Sequence, residues 1–362
     1  MSTTTTQPPA PGPGPKAGTK LDLRSGTLPR RFPLGLLIGC GVVVAGVLAA
    51  FSSFGLVTWA LLTAVAYAVI IVTASNRVEG GRKAKDRMVT AIVYGCFLLA
   101  MTPLVSLLYT VAGYGMDRFS PYFLSVSMNG VLPSMDAGGV YHAIVGTLAI
   151  TGMATLLSVP IGVLTAVYLV EYAQGRIKKV ITFFVDVMTG IPSIVAGLFV
   201  VALWMMLFGP GHTNGAAGAL SLTVLMIPVV VRSSEEMLRL VSRDLREASY
   251  ALGVPKWRTI TKIVLPTSAA GLTTGIMLAI ARVIGETAPL VLTAGSSAVS
   301  INWNLFDGQM MNLPVFIYSQ FRMGGAVNYE RAWAAALTLV LTVMLLFILA
   351  RVIGRLFAPK TR

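Results

Sequence analysis

Glu247-Ala248-Ser249, three residues, Gly253, nine residues, then Ile263-Val264-Leu265-Pro266: this interval is polar and basic, and it lies between two long apolar runs. A chain that crosses a bilayer repeatedly has little reason to keep an ordered loop of this kind in water unless something soluble docks there. Upstream, Met237, Val241, Leu245, Ala248 and Leu252 recur at spacings of three and four, which places them on one face of a helix running from Arg232 to Leu252. Glu235, Glu236, Arg239, Arg243 and Arg246 mostly populate the other face. Gly253 suits the left-handed position at a helix C-terminus, and Pro255 follows as a stop. A second short amphipathic piece, Lys256 to Val264, leads back to an apolar run. The expected element is helix, sharp turn, helix. The pattern is equally that of an amphipathic hairpin lying on lipid headgroups.

Composition sets the surroundings. The 362 residues are 55% hydrophobic and 12% charged, about half the charge of a soluble domain. A polytopic all-α membrane protein is the expected class. A crossing needs about 20 apolar residues. Eight runs qualify: Leu34–Phe51, Leu56–Ala74, Met88–Val111, Val140–Val170, Ile181–Phe208, Ala216–Val231, Ser268–Ala294 and Ala332–Ile353. Leu34 to Ala74 as one straight helix would measure about 60 Å, twice the hydrocarbon core, so Ser52-Ser53-Phe54-Gly55 is read as the turn of a hairpin. Val140–Val170 exceeds one upright crossing and has Pro160 as a place to bend.

The net charge of +14 follows from topology. With eight spans and an internal N-terminus, 24 of the 28 basic residues are cytoplasmic and only Arg118, Arg322 and Arg331 are outside, as the positive-inside rule expects. Both termini are then cytoplasmic, and no nucleic-acid partner is needed. The expected organisation is a disordered tail (1–31, with Met1–Gly18 rich in Thr, Pro and Gly), a hairpin (32–75), and a segment with a basic loop, a span and an outer loop (76–139). The core (140–355) carries the loop at 232–266, and a short tail (356–362) follows. A secretory signal peptide is not expected. Cys40 and Cys96 read as small buried hydrophobes, and His142 and His212 as packing or interfacial residues, with no metal site. The outer segments Gly113–Gly139 and Gly295–Glu330 either meet an external partner or simply cap the bundle.

Arg282 lies alone within a span, with Glu286 four residues on. Four apart on one helix, the two side chains can meet. A charge at bilayer depth costs about 2.5–3.5 kcal/mol on insertion scales and normally faces the bundle interior or water. Either the two form an ion pair that locks spans together, or they line a path for an anion. Gly271 and Gly275 permit close helix approach. Ser193, after Pro192, either packs or lines the same path. Glu171 and Asp186, near cytoplasmic ends, read as interfacial. No Gly-x4-Gly-Lys-[Ser/Thr] loop is present, so ATP is not bound by that device.

The interval at Glu247 resembles the EAA loop of binding-protein-dependent ABC transporter permeases, with Ser249 in place of the commoner second alanine. Three further stretches resemble the PstA family of phosphate-specific ABC importer permeases: Gly190-Ile191-Pro192-Ser193-Ile194-Val195-Ala196-Gly197-Leu198-Phe199, Ala248 to Trp257, and Ala281-Arg282-Val283-Ile284-Gly285-Glu286-Thr287-Ala288-Pro289-Leu290. The Gly-Glu-Thr-Ala-Pro-Leu run favours this family over its partner PstC. The resemblance covers about Met88 to the C-terminus, leaving the first hairpin as an addition to the usual six spans.

The resemblance implies a type I importer permease fold for phosphate. Glu247, Ala248, Ser249 and Gly253 would couple to an ATPase, and Arg282, Glu286, Thr287 and Ser193 would line the translocation pathway. It implies a homologous second permease, two ATPase copies using ATP and magnesium, an external binding protein, a prokaryotic plasma membrane, and no catalysis or cofactor in this chain. Molybdate or sulfate as the cargo, or a proton-coupled carrier built on Glu286, are the rival readings. A non-transporting membrane scaffold is a third.

Overall fold

The computed structural model describes residues 28, 29, 31–50 and 55–357. The N-terminal tail, the Ser52–Phe54 part of the expected turn and the last five residues lie outside them. Every regular element among the described residues is a helix. They divide into two compact units, with the boundary at Ser106 and Leu107.

The first unit holds α1 (Phe32–Ala50), α2 (Leu56–Val78) and most of α3 (Gly81–Met116). α1 packs on α2: Cys40, Gly41 and Leu48 are buried, and the Trp59 indole N–H donates to the Gly41 carbonyl at 2.8 Å. A Cβ on Gly41 would meet the Trp59 ring at 3.5 Å. The outer flanks carry exposed Val, Leu and Ile, including Val42, Val65 and Val93. Lipid, not water, is the solvent that such a surface fits. Cys96 belongs to this exposed surface on α3, contrary to the expectation that it is buried; only Cys40 is enclosed. An apolar lipid environment makes the two settings indistinguishable by composition.

At the foot of the hairpin Glu79 accepts from Arg87 Nε at 2.7 Å and Nη2 at 3.0 Å, from Ser75 Oγ at 2.8 Å and from the Leu28 amide at 2.9 Å. The Arg87 hydrogen bond, then the Leu28 amide, hold its carboxyl down at about 2, against an ordinary value of 4.5. Because the folded value is the lower one, this stabilisation is complete above about pH 4.5 and fades as pH falls toward 2. Amide exchange at Leu28, compared between the native chain and Glu79→Gln, should show the difference at neutral pH and lose it in that acid window.

The second unit runs on through α4 (Pro121–Ser125), α5 (Tyr141–Val167) with a π turn (Tyr168–Tyr172), α6 (Gly175–Thr189), α7 (Ser193–Phe208) and α8 (Gly215–Arg239). Then follow α9 (Arg243–Ala251), α10 (Lys256–Thr259), a second π turn (Ile260–Val264), α11 (Leu265–Val283), α12 (Ala288–Thr293), α13 (Leu313–Met323) and α14 (Ala326–Phe357). α8 is the central helix, with Leu222, Met226 and Val230 fully buried, and it lies along α5. Small residues set the approach. A Cβ on Gly162 would sit 2.6 Å from Val230 Cγ1, and one on Gly275 2.7 Å from Ser233 Cβ. Gly271 likewise faces Met237. The expectation that Gly271 and Gly275 admit a neighbouring helix agrees with this packing.

Among the described residues seven helices are long and apolar enough to cross a membrane, and α6 with α7 makes an eighth candidate bent by 103°. The expected span Ile181–Phe208 is present as two helices with a sharp bend between them: Gly190 caps α6 and Pro192, with no amide hydrogen, precedes α7. The span Ser268–Ala294 is also broken, between Val283 and Ala288, ahead of Pro289. Pro160 and Pro228, by contrast, sit inside continuous helices. α13 was not expected at all. It lies in the outer segment with Leu313, Val315 and Phe316 buried. That outer segment is thus packed structure and not a bare loop.

His142 is buried on α5 against the Phe316 ring, a packing role as expected, while His212 is exposed. Arg331, counted from sequence as an outer-loop charge, is completely buried at the start of α14.

Candidate functional site

The loop between α8 and α11 is built on charge pairs that hold its ends. Arg246 of α9 reaches back: Nη2 donates to the Leu238 carbonyl at 2.9 Å, and Nη1 to the carbonyls of Val241 and Ser242. The guanidinium thus satisfies carbonyls freed where α8 ends. The same side chain pairs at 3.0 Å with Glu171, whose side chain is 6% exposed. Lys256, on the other arm of the loop, donates to the Glu171 carbonyl and lies over the Tyr172 ring.

The continuous helix expected from Arg232 to Leu252 is corrected by this arrangement. It breaks at Leu240–Ser242. Met237 and Val241 pack with Leu238, Val264 and Leu272, whereas Leu245, Ala248 and Leu252 are exposed. The apolar stripe is divided into a part that anchors the loop and a part that stays exposed. Glu235, assigned to the polar face, is buried and holds both Arg232 and Arg239.

Gly253 has φ +75, with its amide donating to Tyr250 and the Val254 amide to Ser249, the left-handed stop the spacing called for. Ser249 is buried, and its hydroxyl meets that of Thr259 at 2.8 Å, tying α9 to α10. Glu247 and Ala248 stand exposed beside it. The structure thus brings the four loop residues onto one short elbow, with Ser249 inward.

Arg282 occupies the last turn of α11 and is exposed along the isolated chain. The expected contact with Glu286 is corrected: α11 ends at Val283, Glu286 sits in the break, and no ion pair joins the two among the described residues. The geometry of four residues on one helix does not apply across a broken one. The Glu286 amide donates to Val283, and Thr287 opens α12. α12 in turn packs on α7: a Cβ on Gly197 would lie 2.8 Å from Pro289 Cα. The helix that starts at Ser193 is therefore set beside the segment carrying Glu286 and Thr287. Gly197→Val should drive these helices apart and cost about 1–3 kcal/mol, measurable as a lower melting temperature in detergent.

The two carboxylates read as interfacial each carry an ion pair that the sequence does not signal. Glu171 pairs with Arg246, and Asp186 with Arg232. Their partners are 75 and 46 residues away, beyond any local spacing signal.

A chain of apolar helices with broken spans and an elbow held between two of them has the architecture of an importer's membrane component. The family described as binding-protein-dependent transport system inner membrane component matches residues 158–362, and the chain belongs to it. The bacterial alginate ABC transporter in complex with an alginate pentasaccharide-bound periplasmic protein is similar in fold, with a TM-score of 0.53 at 14% identity over 76% of this chain and 96% of that one.

Closer relatives narrow the class. The phosphate transport system permease protein PstA 1 of Mycobacterium tuberculosis (strain CDC 1551 / Oshkosh) is 48% identical over 78% of this chain and 92% of its own. PstA of Mycobacterium leprae (strain TN) is 47% identical over 72% and 86%. Within the permeases, the chain is a member of the PstA family.

Proposed function

We propose that this chain forms half of the translocation pathway of an ATP-driven importer for inorganic phosphate. The observation that carries the reading is Arg282: a permanent charge on a membrane-spanning helix, beside a helix break, with no carboxylate partner among the described residues. A planar guanidinium fork matches a tetrahedral oxyanion. Thr287 and Ser193 add hydroxyls at the starts of the two helices that pack on one another, and Glu286 supplies a negative charge that opposes tight retention.

The partners follow from the division of labour. A PstC-like permease supplies the other half of the path, two PstB-like ATPases hydrolyse ATP with magnesium, and a PstS-like protein delivers phosphate from outside. Coupling runs through Glu247, Ala248, Ser249 and Gly253. ATP binding shifts the population of helix arrangements by favouring one of them. The chain is multi-pass in a prokaryotic plasma membrane, with both termini in the cytoplasm, binds no cofactor itself and lies against membrane lipid.

The test is phosphate uptake by vesicles holding this chain with the three partner proteins, with arsenate, sulfate and molybdate as competitors. Uptake that needs ATP and is blocked by arsenate alone is the expected result. Uptake without the ATPase, or stronger competition by sulfate or molybdate than by arsenate, would exclude the reading.

A further inference from the structure

A second cluster of charge lies away from Arg282. Lys178 of α6, Arg239 at the end of α8, and Arg243 and Arg246 of α9 line one cleft of about 530 Å³, with Val170, Val241 and the Glu171 carboxylate completing its walls. Four cations from three helices converge on it. Two are held in place by buried carboxylates: Arg246 by Glu171, 6% exposed, and Arg239 by Glu235, 4% exposed. The other two, Lys178 and Arg243, have no hydrogen-bonding or ionic partner among the described residues. Counting Glu171 and Glu235, two positive charges remain uncompensated.

Arg246 spends its N–H groups on Glu171 and on the Leu238, Val241 and Ser242 carbonyls, so it supplies charge to the wall and no donor. Arg239 keeps guanidinium N–H groups beyond the one given to Glu235, and with Lys178 and Arg243 it would gain charge-assisted hydrogen bonds from an oxyanion. Simple mutual repulsion would instead splay the four apart. Glu247 and Ala248, the exposed motif residues of the elbow, are not among the walls.

We infer that this cleft binds a phosphate group on the side of the elbow facing α6, and that the bound group ties α9 to α6. Free phosphate and the headgroup of an anionic phospholipid carry the same tetrahedral oxyanion, and either would bridge Lys178 and Arg243. A bridged elbow is a stiffer one. With free phosphate as the occupant, the consequence is restraint of the importer by phosphate that has already entered, which rests on the function proposed above. The site itself does not.

Hydrogen exchange of the complete importer separates these possibilities. In phosphatidylcholine nanodiscs, inorganic phosphate added in place of chloride should slow exchange of the amides at 239–246. Lys178→Gln should raise the half-saturating phosphate concentration about tenfold, the value of one charge-assisted hydrogen bond. Protection already complete without added phosphate in phosphatidylglycerol nanodiscs, and lost in Lys178→Gln, assigns the site to the lipid headgroup and also supports it. Equal phosphate response in native and Lys178→Gln protein, or protection unchanged by either anion or lipid, overturns the inference; the second pattern is that of an acidic protein segment filling the cleft. Because exchange reads binding and not transport, this result is independent of which oxyanion the importer carries.

Discussion

Arg282→Ala should abolish ATP-driven phosphate uptake while the assembled importer remains intact. The side chain donates to no described neighbour and lies on the exposed flank of α11, so its removal strands no buried carboxylate. Removing an unpaired intramembrane charge lowers the insertion cost of about 2.5–3.5 kcal/mol, which favours folding. The loss falls on the anion alone. Two charge-assisted hydrogen bonds to a passing phosphate, each worth about 1.5–3 kcal/mol, correspond to a fall of at least about a hundredfold in uptake. Arg282→Lys keeps the charge but not the fork, and should recover only part of the rate. Radiolabelled uptake, normalised to the amount of assembled importer, measures both. Native rates in both variants would remove Arg282 from the pathway.

Arg331→Met is the structural counterpart, and its cost should appear in assembly before transport is measured. Arg331 is completely buried. Nη1 donates to Asn328 Oδ1 at 2.8 Å and to the Pro133 carbonyl at 3.4 Å; Nη2 donates to Ala137 at 2.9 Å and to Met135; Nε donates to Ala137 at 3.2 Å. The guanidinium is the common donor for an outer segment that lacks a regular hydrogen-bond ladder. Methionine fills the volume but leaves the Pro133 and Met135 carbonyls and the Asn328 amide oxygen without a donor, while the Ala137 carbonyl keeps Arg118 Nη2 at 3.1 Å. Each buried unsatisfied group costs about 1–3 kcal/mol, so the outer cap around 133–137 should detach from α14. Rapid exchange of amides at 133–140 and a drop of several degrees in melting temperature are the expected readouts. Nearby Arg118 retains its bond to the Ala137 carbonyl but none to Pro133 or Met135, and its pairs with the exposed Asp136 and Glu330 add at most about 1 kcal/mol.

These two arginines also mark what hydropathy and spacing disclose. Arg282 stood out because it interrupts an apolar run, and the elbow stood out because Gly253 and Pro255 punctuate a period of three and four. Arg331 did not stand out, since at the edge of a polar outer segment its charge is unremarkable; its burial depends on carbonyls nearly 200 residues away. Pro192 signals a kink in its span, and the structure makes it a bend of 103°; the break at Gly285–Thr287 is hidden by the apolar residues on either side. Proline alone does not decide: Pro160 and Pro228 are accommodated within α5 and α8, while Pro192 and Pro289 each begin a helix after a break. At both breaks a glycine precedes the proline, Gly190 by two residues and Gly285 by four, whereas Gly162 follows Pro160 within a continuous helix. α13 escaped because its apolar residues are too few for a crossing and lie among the Asn, Asp and Gly of the outer segment.

Glu171 has a mechanical corollary. One residue fastens both arms of the elbow, by its carboxylate to Arg246 and by its carbonyl to Lys256. Slack is therefore absent where a flexible tether would have it. A displacement of α9 or α10 would pull directly on the foot of α5, which lies along the central α8. Glu171 thus yokes the two arms of the loop to one point.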